Sequence, residues 1–141
     1  MNWLSNKKIL VPIDFSELSK QAVEHALGMR DEATEVHAVF VAAHESVMEP
    51  GFVWGAMDDN TRRTNLEKEF EKDFADPKFK DVKFHTLFGD AGHEIATFVS
   101  NNEIAVVVMS SHGRTGLERA LIGSVAERVV RLCPCPVLVL K

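Results

Sequence analysis

Glycine, serine and histidine residues are concentrated in one stretch near the end of the chain, "SSHGRTGLERALIGS", residues 110–124. It follows the apolar run "IAVVVM", which predicts a buried strand. Ser124 and Glu127 have the S-x-x-E spacing of a capping box, so we expect a helix to begin at Ser124. The free N–H groups and the positive dipole end of such a helix can bind an anion, and Gly123 just before it would leave room for a phosphate to approach the backbone.

Two interpretations of this segment remain open. In the first, the Ser124 hydroxyl donates to a phosphate oxygen and Gly113 lets backbone amides face the same crevice. In the second, the glycines only form turns, and Ser124 caps a helix that binds nothing. Neither the G-x-x-x-x-G-K-[ST] phosphate loop nor the G-x-G-x-x-G dinucleotide motif occurs in the chain.

His112 and Arg114 are the other residues of this stretch that could do chemistry. His112 could contact a phosphate or carry a proton, although a turn histidine more often hydrogen-bonds the backbone. Arg114 could pair with a phosphate or remain solvated. The remaining histidines show no H-x3-H spacing and the cysteines no C-x2-C spacing, so we expect no metal site. Cys133 and Cys135 form a single C-x-C and are interpreted as free thiols.

Alternating strand and helix patterns surround these residues. The hydrophobic period predicts strands at 7–14, 35–43, 81–90, 104–109 and in the closing "PVLVLK". It predicts helices at 15–32, 61–77, 93–102 and 124–132, and a long loop at 44–60. Ser16 is the expected cap of the first helix, whose apolar stripe consists of Leu18, Ala22, Val23, Ala26 and Leu27. Such alternation predicts an α/β three-layer sandwich with a five-stranded parallel sheet and helices on both faces. In the strand order 3-2-1-4-5, the turns after strands one and four are neighbours at the switch point, where ligands bind. "PIDF" at 12–15 would then face "SSHGRTG".

Length and charge limit the classes of function. The chain of 141 residues with 45% hydrophobic content fits a single domain over 1–141. A net charge of −5 leaves no basic stripe for a nucleic-acid backbone. The apolar run near the N-terminus is too short for a signal peptide or a membrane span, so we expect a cytoplasmic protein without membrane insertion.

The chain resembles the universal stress protein family over essentially its whole length. The resemblance rests on "KILVPIDFSELSKQAVEHAL", "VVVMSSHGRTGLERALIGSVAERVVR" and "CPVLVLK". Nucleotide-binding members carry G-x2-G-x9-G-[ST] after a strand that ends in Met. Here Gly113, nine further residues and Gly123-Ser124 match, whereas Ser110 replaces the first glycine. A serine at that position would either clash with the ligand or donate a hydrogen bond to it.

The resemblance implies a Rossmann-like fold of the adenine nucleotide alpha hydrolase type that binds ATP, with or without Mg²⁺. It implies that Pro12, Ile13, Asp14 and Val41 hold the adenosine, that Met109 and Ser110 border the ribose and α-phosphate, and that Gly113, Gly123 and Ser124 take the phosphates. His112, Arg114 and Val125 complete the predicted site. Asp14 is short and acidic, so contact with a ribose hydroxyl is physically reasonable; the alternative is a polar strand-end residue without a ligand.

The last strand predicts an assembly. "PVLVLK" is apolar on both faces and would leave an unprotected sheet edge, which a second copy of the chain would cover. The resemblance likewise implies a homodimer joined through Val137 to Leu140.

Few residues of the chain are of a type and in a pattern suited to catalysis. The chain has no Walker lysine, no acidic magnesium cluster and no nucleophile with an evident base, so we expect a small regulatory protein with at most slow ATP hydrolysis rather than an enzyme. Two alternatives remain. One is a nucleotidyl- or phosphotransferase using His112 and Asp14, and the other is a stress protein that binds no nucleotide and acts only through protein partners.

Overall fold

Strands and helices alternate along the computed structural model, which describes residues 2–44, 58–112 and 122–141. The strands are β1 (Lys8–Pro12), β2 (Glu35–Ala42), β3 (Lys83–Phe88), β4 (Ile104–Ser110) and β5 (Val137–Leu140). The helices are α1 (Glu17–Met29), α2 (Asp59–Asp73), α3 (Ala91–Asn101) and α4 (Ser124–Leu132), and a 3-10 turn covers Pro77–Phe79. Among these described residues, no helix is both long and apolar enough to cross a bilayer.

The strands form one parallel sheet in the order β3-β2-β1-β4-β5. This confirms the predicted α/β fold and its strand order. β1 lies at the centre, in register with β2 from Lys8 opposite Glu35 to Pro12 opposite Val39. The carboxyl ends of β1 and β4 are therefore neighbours, as the switch-point argument requires.

Helices cover both faces of the sheet, which explains the nearly continuous apolar runs of its inner strands. Side chains that alternate along each strand enter two separate cores. Ile9 and Val11 pack with α1 residues such as Val23 in one core. Leu10 packs with residues such as Val129 of α4 in the other.

Helix α1 begins as predicted, because the Ser16 side chain accepts a hydrogen bond from the Ser19 amide. Its buried residues are Ser19, Ala22, Val23 and Ala26. The assignment of Leu18 to this stripe is wrong, since 44% of Leu18 is exposed. At 100° per residue, Leu18 lies about a quarter turn from the centre of the buried face.

Helix α2 begins earlier than its apolar pattern indicated. The Asp58 side chain caps it by accepting from the Thr61 amide at 2.7 Å, so the helix starts inside the predicted loop 44–60. Most of that predicted loop lies outside the described residues. The helix ends at Asp73, and Phe74 follows as the C-cap, buried beside Phe79.

Strand β3 occupies an edge of the sheet, as its more exposed pattern predicted. Helix α3 then starts at Ala91, two residues before the predicted boundary, because Asp90 caps it by accepting from the His93 amide. Asp90 also pairs with Arg128 of α4. This ion pair and the adjoining backbone bond hold the pKa of Asp90 below its ordinary value.

Candidate functional site

A cleft of about 470 Å³ lies where the carboxyl ends of β1 and β4 meet the N-terminus of α4. This volume is in the range of small-molecule sites, and the location is the switch point of the sheet. The residues that line the cleft are Pro12, Ile13, Asp14, Ser19, Phe40, Met109, Ser110, Ser111, His112, Gly123, Ser124, Val125 and Ala126.

Most of the predicted site residues line this cleft. They are Pro12, Ile13, Asp14, Met109, Ser110, His112, Gly123, Ser124 and Val125. Val41 is not among the lining residues, and Gly113 and Arg114 lie outside the described residues. Sequence reasoning missed Ser19, Phe40, Ser111 and Ala126, of which Phe40 contributes an aromatic ring to the wall.

Gly123 joins the end of β4 to the start of α4 by a close backbone contact. Its amide donates to the carbonyl oxygen of Ser111 across 2.6 Å. A Cβ on Gly123 would lie 2.8 Å from that same oxygen. The space beside this glycine is therefore filled by the Ser111 carbonyl, whereas the sequence suggested that it is left for a ligand.

The start of α4 at Ser124 is confirmed, but the predicted capping box is wrong. Gly123 occupies the N-cap and no side chain caps the helix. Ser124 is instead the first helical residue and is exposed, while the Glu127 carboxylate pairs with Arg131. The close Gly123–Ser111 contact places the glycine at the cap position and so moves Ser124 one residue into the helix.

Backbone amides are consequently available at the cleft. The first intrahelical bond of α4 joins the Glu127 amide to the Gly123 carbonyl at 2.9 Å. The amides of Ser124, Val125 and Ala126 precede it, and all three residues line the cleft. Three N–H groups at the positive end of a helix dipole form an arrangement that suits an anionic group.

Ser110, the residue that departs from the family signature, is accommodated by the turn itself. Its hydroxyl donates to the His112 carbonyl oxygen across 2.6 Å. Among the described residues, positive φ angles outside glycine occur at Asn6, Phe15 and Glu103, so the backbone of Ser110 does not require glycine. The serine hydroxyl therefore folds back onto the turn.

His112 is held in the wall of the cleft by its neighbour. The Ser111 hydroxyl lies 2.8 Å from His112 Nδ1, and both residues are buried. The Ser111 amide in turn donates to the Leu140 carbonyl at 2.8 Å. The imidazole is thus fixed to the end of the β4–β5 pair.

The turn that follows Asp14 has an unusual backbone conformation. Phe15, the next residue, has a φ of 61°, which is uncommon for an aromatic residue and carries strain. Its ring packs against Phe40, with centroids 5.2 Å apart, which holds the turn in place. One Asp14 carboxylate oxygen accepts from the Ser16 amide at 3.0 Å.

The backbone polar groups of Val41 face the β1 side of the sheet. Its side chain packs in the core below α3 and α4. The Val39 carbonyl accepts from the Ile13 amide at 2.8 Å, and β1 pairs with β2 only as far as Pro12. Because polar groups two residues apart on a strand face the same neighbour, the N–H and C=O of Val41 point to the space beyond the end of β1.

The remaining candidate groups contribute little to this site. Within the described ranges, no group of three or more His, Cys, Asp or Glu side chains is arranged to hold a metal ion. Cys133 and Cys135 are free thiols. Burial raises the pKa of Cys133 to about 11, so this thiol is protonated at neutral pH and a weak nucleophile.

The parallel sheet, its strand order and the switch-point cleft define a doubly wound α/β protein, the class in which ligands bind beyond the carboxyl ends of the strands. Residues 5–141 match the sequence model of the universal stress protein family. The chain belongs to the universal stress protein family.

Individual relatives agree with this assignment. Universal stress protein MJ0531 of Methanocaldococcus jannaschii is 38% identical over 145 residues, covering 96% of this chain and 82% of that protein. The solved structure of MJ0577 from the same organism is 30% identical, with a TM-score of 0.72 and 96% of each chain covered. A universal stress protein solved in complex with cAMP shares the fold at 16% identity, with a TM-score of 0.61 over 96% of this chain and 97% of that one.

Proposed function

We propose that this protein binds ATP at the switch-point cleft and acts as a small cytoplasmic regulator in a stress response. The observation that carries the proposal is the convergence in one cleft of the ends of β1 and β4 with three α4 amides that precede the first intrahelical bond and that, within the described residues, donate to no protein acceptor. The amides of Ser124, Val125 and Ala126 supply donors for phosphate oxygens without a lysine.

The nucleoside would lie toward β1 and β2. Asp14 offers a carboxylate to a ribose hydroxyl, and Phe40 offers an apolar aromatic wall. The backbone N–H and C=O of Val41 present one donor and one acceptor, which match the acceptor and donor on the hydrogen-bonding edge of adenine. A protein of this fold accommodates cAMP, which agrees with an adenine nucleotide as the ligand class.

Regulation rather than turnover is proposed because the polar groups of the cleft already serve the structure. The Asp14 carboxylate accepts from the Ser16 amide, and His112 is fixed by Ser111. ATP hydrolysis would then be slow. Turnover faster than about one per second, the low end for typical enzymes, would favour a nucleotidyl- or phosphotransferase using Asp14 and His112.

A homodimer through Val137 to Leu140 is the proposed assembly. Strand β5 lies at an edge of the sheet, where within the described residues it pairs with β4. Its Leu138 is 41% exposed. An edge of this kind exposes backbone groups and apolar side chains that a second copy can cover.

Equilibrium titration of the purified full chain with Mg-ATP tests the proposed ligand, with Mg-GTP as the matched control. We expect saturable one-site binding of ATP and markedly weaker binding of GTP, since guanine presents its donor and acceptor in a different order. Equal affinity for both would contradict adenine recognition by the Val41 backbone. No binding of either nucleotide would instead favour a stress protein that acts through protein partners alone.

A further inference from the structure

A row of hydrogen-bonded side chains lies on the α3 face of the sheet, away from the cleft. Glu35 and His37 belong to β2 and His85 belongs to β3. His37 Nε2 lies 2.8 Å from a Glu35 carboxylate oxygen, and His37 Nδ1 lies 2.9 Å from His85 Nε2. The two rings are 15° from parallel with centroids 5.1 Å apart, which fits two imidazoles joined end to end.

The histidines of the row are shielded from water to different extents, whereas the Glu35 side chain is 41% exposed. His37 is 7% exposed. His85 is partly exposed at the edge strand, and its ring centroid lies 4.9 Å from that of Phe98 on α3. Burial therefore disfavours the charged form of His85 and lowers its pKa.

Charged groups approach the row mainly from the strands. Lys83 of β3 lies 3.1 Å from the second Glu35 carboxylate oxygen. Lys8 of β1 is the register partner of Glu35, on the same face of the sheet. The titratable side chains of α3, His93 and Glu94, lie in its first turn, where Glu94 packs beside Gly89 past the end of β3. Glu35 is thus the anion of the row, and Lys83 adds positive charge beside His85.

The hydrogen bonds fix how many protons the row can carry. The Glu35 carboxylate accepts, so His37 Nε2 carries a proton. The link between His37 Nδ1 and His85 Nε2 then holds a single proton, which lies on His85 Nε2 while both rings are neutral. One added proton leaves this bond in place, because one ring is charged and donates while the other stays neutral and accepts. A second proton would place two N–H groups head to head across 2.9 Å and two cations side by side, so the bond between the strands would break.

We propose that Glu35, His37 and His85 form a single-proton site that ties the edge strand β3 to β2 at neutral pH and releases it in acid. The surroundings of His85 agree with this reading, because burial, His37 and Lys83 together lower its pKa. His37 and Lys83 also lower the pKa of Glu35, which keeps the carboxylate charged.

The sign of the pH effect follows from proton linkage. The unfolded or released strand takes up a proton on His85 near the ordinary histidine pKa of about 6.5, whereas the tied strand takes it up only at lower pH. The stabilisation is therefore present above about pH 6.5 and is lost as the pH falls toward the lowered pKa of His85.

Two measurements on the full chain test the proposal. Nitrogen-15 NMR of the imidazole rings follows proton uptake, and amide hydrogen exchange follows the protection of residues 83–88. We expect β3 protection, corrected for intrinsic exchange, to fall by about tenfold or more between about pH 7 and about pH 5, together with proton uptake by His85.

Variants separate the site from general acid sensitivity. His85→Phe keeps a ring beside Phe98 but removes the nitrogen that bonds His37, so acid release of β3 should disappear. His25→Phe, on the exposed face of α1, is the matched control and should behave as the unaltered chain does. Proton uptake by His85 that leaves β3 protection unchanged, or acid release that persists in His85→Phe, would overturn the proposal.

Discussion

At the scale of single residues, Ser110 is the main departure from the family signature, and its side chain is held by the turn in which it lies. The hydroxyl bonds the His112 carbonyl at 2.6 Å, so the added atom stabilises the turn. A side chain at this position is compatible with the backbone, because Ser110 is not among the described residues with positive φ. Serine therefore replaces glycine here without closing the cleft by strain.

Ser110→Ala tests this role. The substitution removes one intramolecular hydrogen bond, so we expect the free energy of unfolding to fall by about 0.5–1.5 kcal/mol in chemical denaturation. ATP affinity should change little, since the hydroxyl is already engaged with the protein. A large loss of affinity with unchanged stability would show that Ser110 contacts the nucleotide directly.

Residue identity was predicted better than residue orientation. Asp14 and His112 follow strands at the switch point, and the family resemblance added Met109; all three line the cleft. Phe40 was missed because an apolar residue in an apolar strand carries no signal of which face it occupies. Val41 illustrates the converse, since the family resemblance placed it in the site, whereas its side chain packs against the core and it is not among the lining residues.

At the scale of elements, the junction of β4 with α4 determines where the free amides lie. The Gly123 amide bonds the Ser111 carbonyl at 2.6 Å, which brings the first turn of α4 against the end of β4. The S-x-x-E pattern predicted the helix start correctly and its cap incorrectly, because this tertiary contact overrides the local capping preference. Similarly, Asp58 starts α2 before its apolar stripe begins.

Gly123→Ala measures the cost of this close contact. The new methyl group would meet the Ser111 carbonyl oxygen at 2.8 Å, so the start of α4 must shift. We expect a loss of about 1–3 kcal/mol in the free energy of unfolding, as for overpacking at other tight sites. ATP binding should weaken in parallel because the amides move.

Gly28→Ala is the control for this substitution. Gly28 lies in α1 with nothing within 4 Å of an added Cβ, so alanine there should stabilise the protein by about 0.5–1 kcal/mol. An equal effect of the two substitutions would mean that the Gly123 contact is relaxed in solution.

At the scale of the whole molecule, one sheet carries two independent features on its opposite halves. The cleft uses the carboxyl ends of β1 and β4, whereas the histidine row joins β2 to the edge strand β3. The strand order was predictable because alternating elements admit few topologies. The histidine row was not, since residues 37 and 85 are brought together only by the register of β2 with β3.

The opposite edge gives a prediction about assembly. We expect a dimer at micromolar concentration in sedimentation experiments, and a monomer for Leu138→Asp, because a charge on exposed β5 opposes apolar pairing between copies. Leu18→Asp is the matched control, since Leu18 and Leu138 are exposed to similar extents, 44% and 41%. A monomeric unaltered chain, or a dimer that survives Leu138→Asp, would contradict an interface at β5.

The first-turn amides of α4 are the groups proposed to bind the phosphates of ATP. Calorimetric titration with Mg-ATP of Ser124→Pro and Ser124→Ala tests this proposal most directly. Proline is tolerated at the first helical position, and Gly123 has the extended conformation (φ −64°, ψ 155°) that favours a following proline. Ser124→Pro therefore removes an amide donor and the hydroxyl, whereas Ser124→Ala removes only the hydroxyl.

We predict that Ser124→Pro weakens ATP binding by about tenfold or more, the worth of a hydrogen bond to a charged group, with the folded state retained. Ser124→Ala should lose much less. Equal affinities of the proline and alanine variants, both folded, would show that the Ser124 amide does not contact the nucleotide and would contradict the proposed phosphate site.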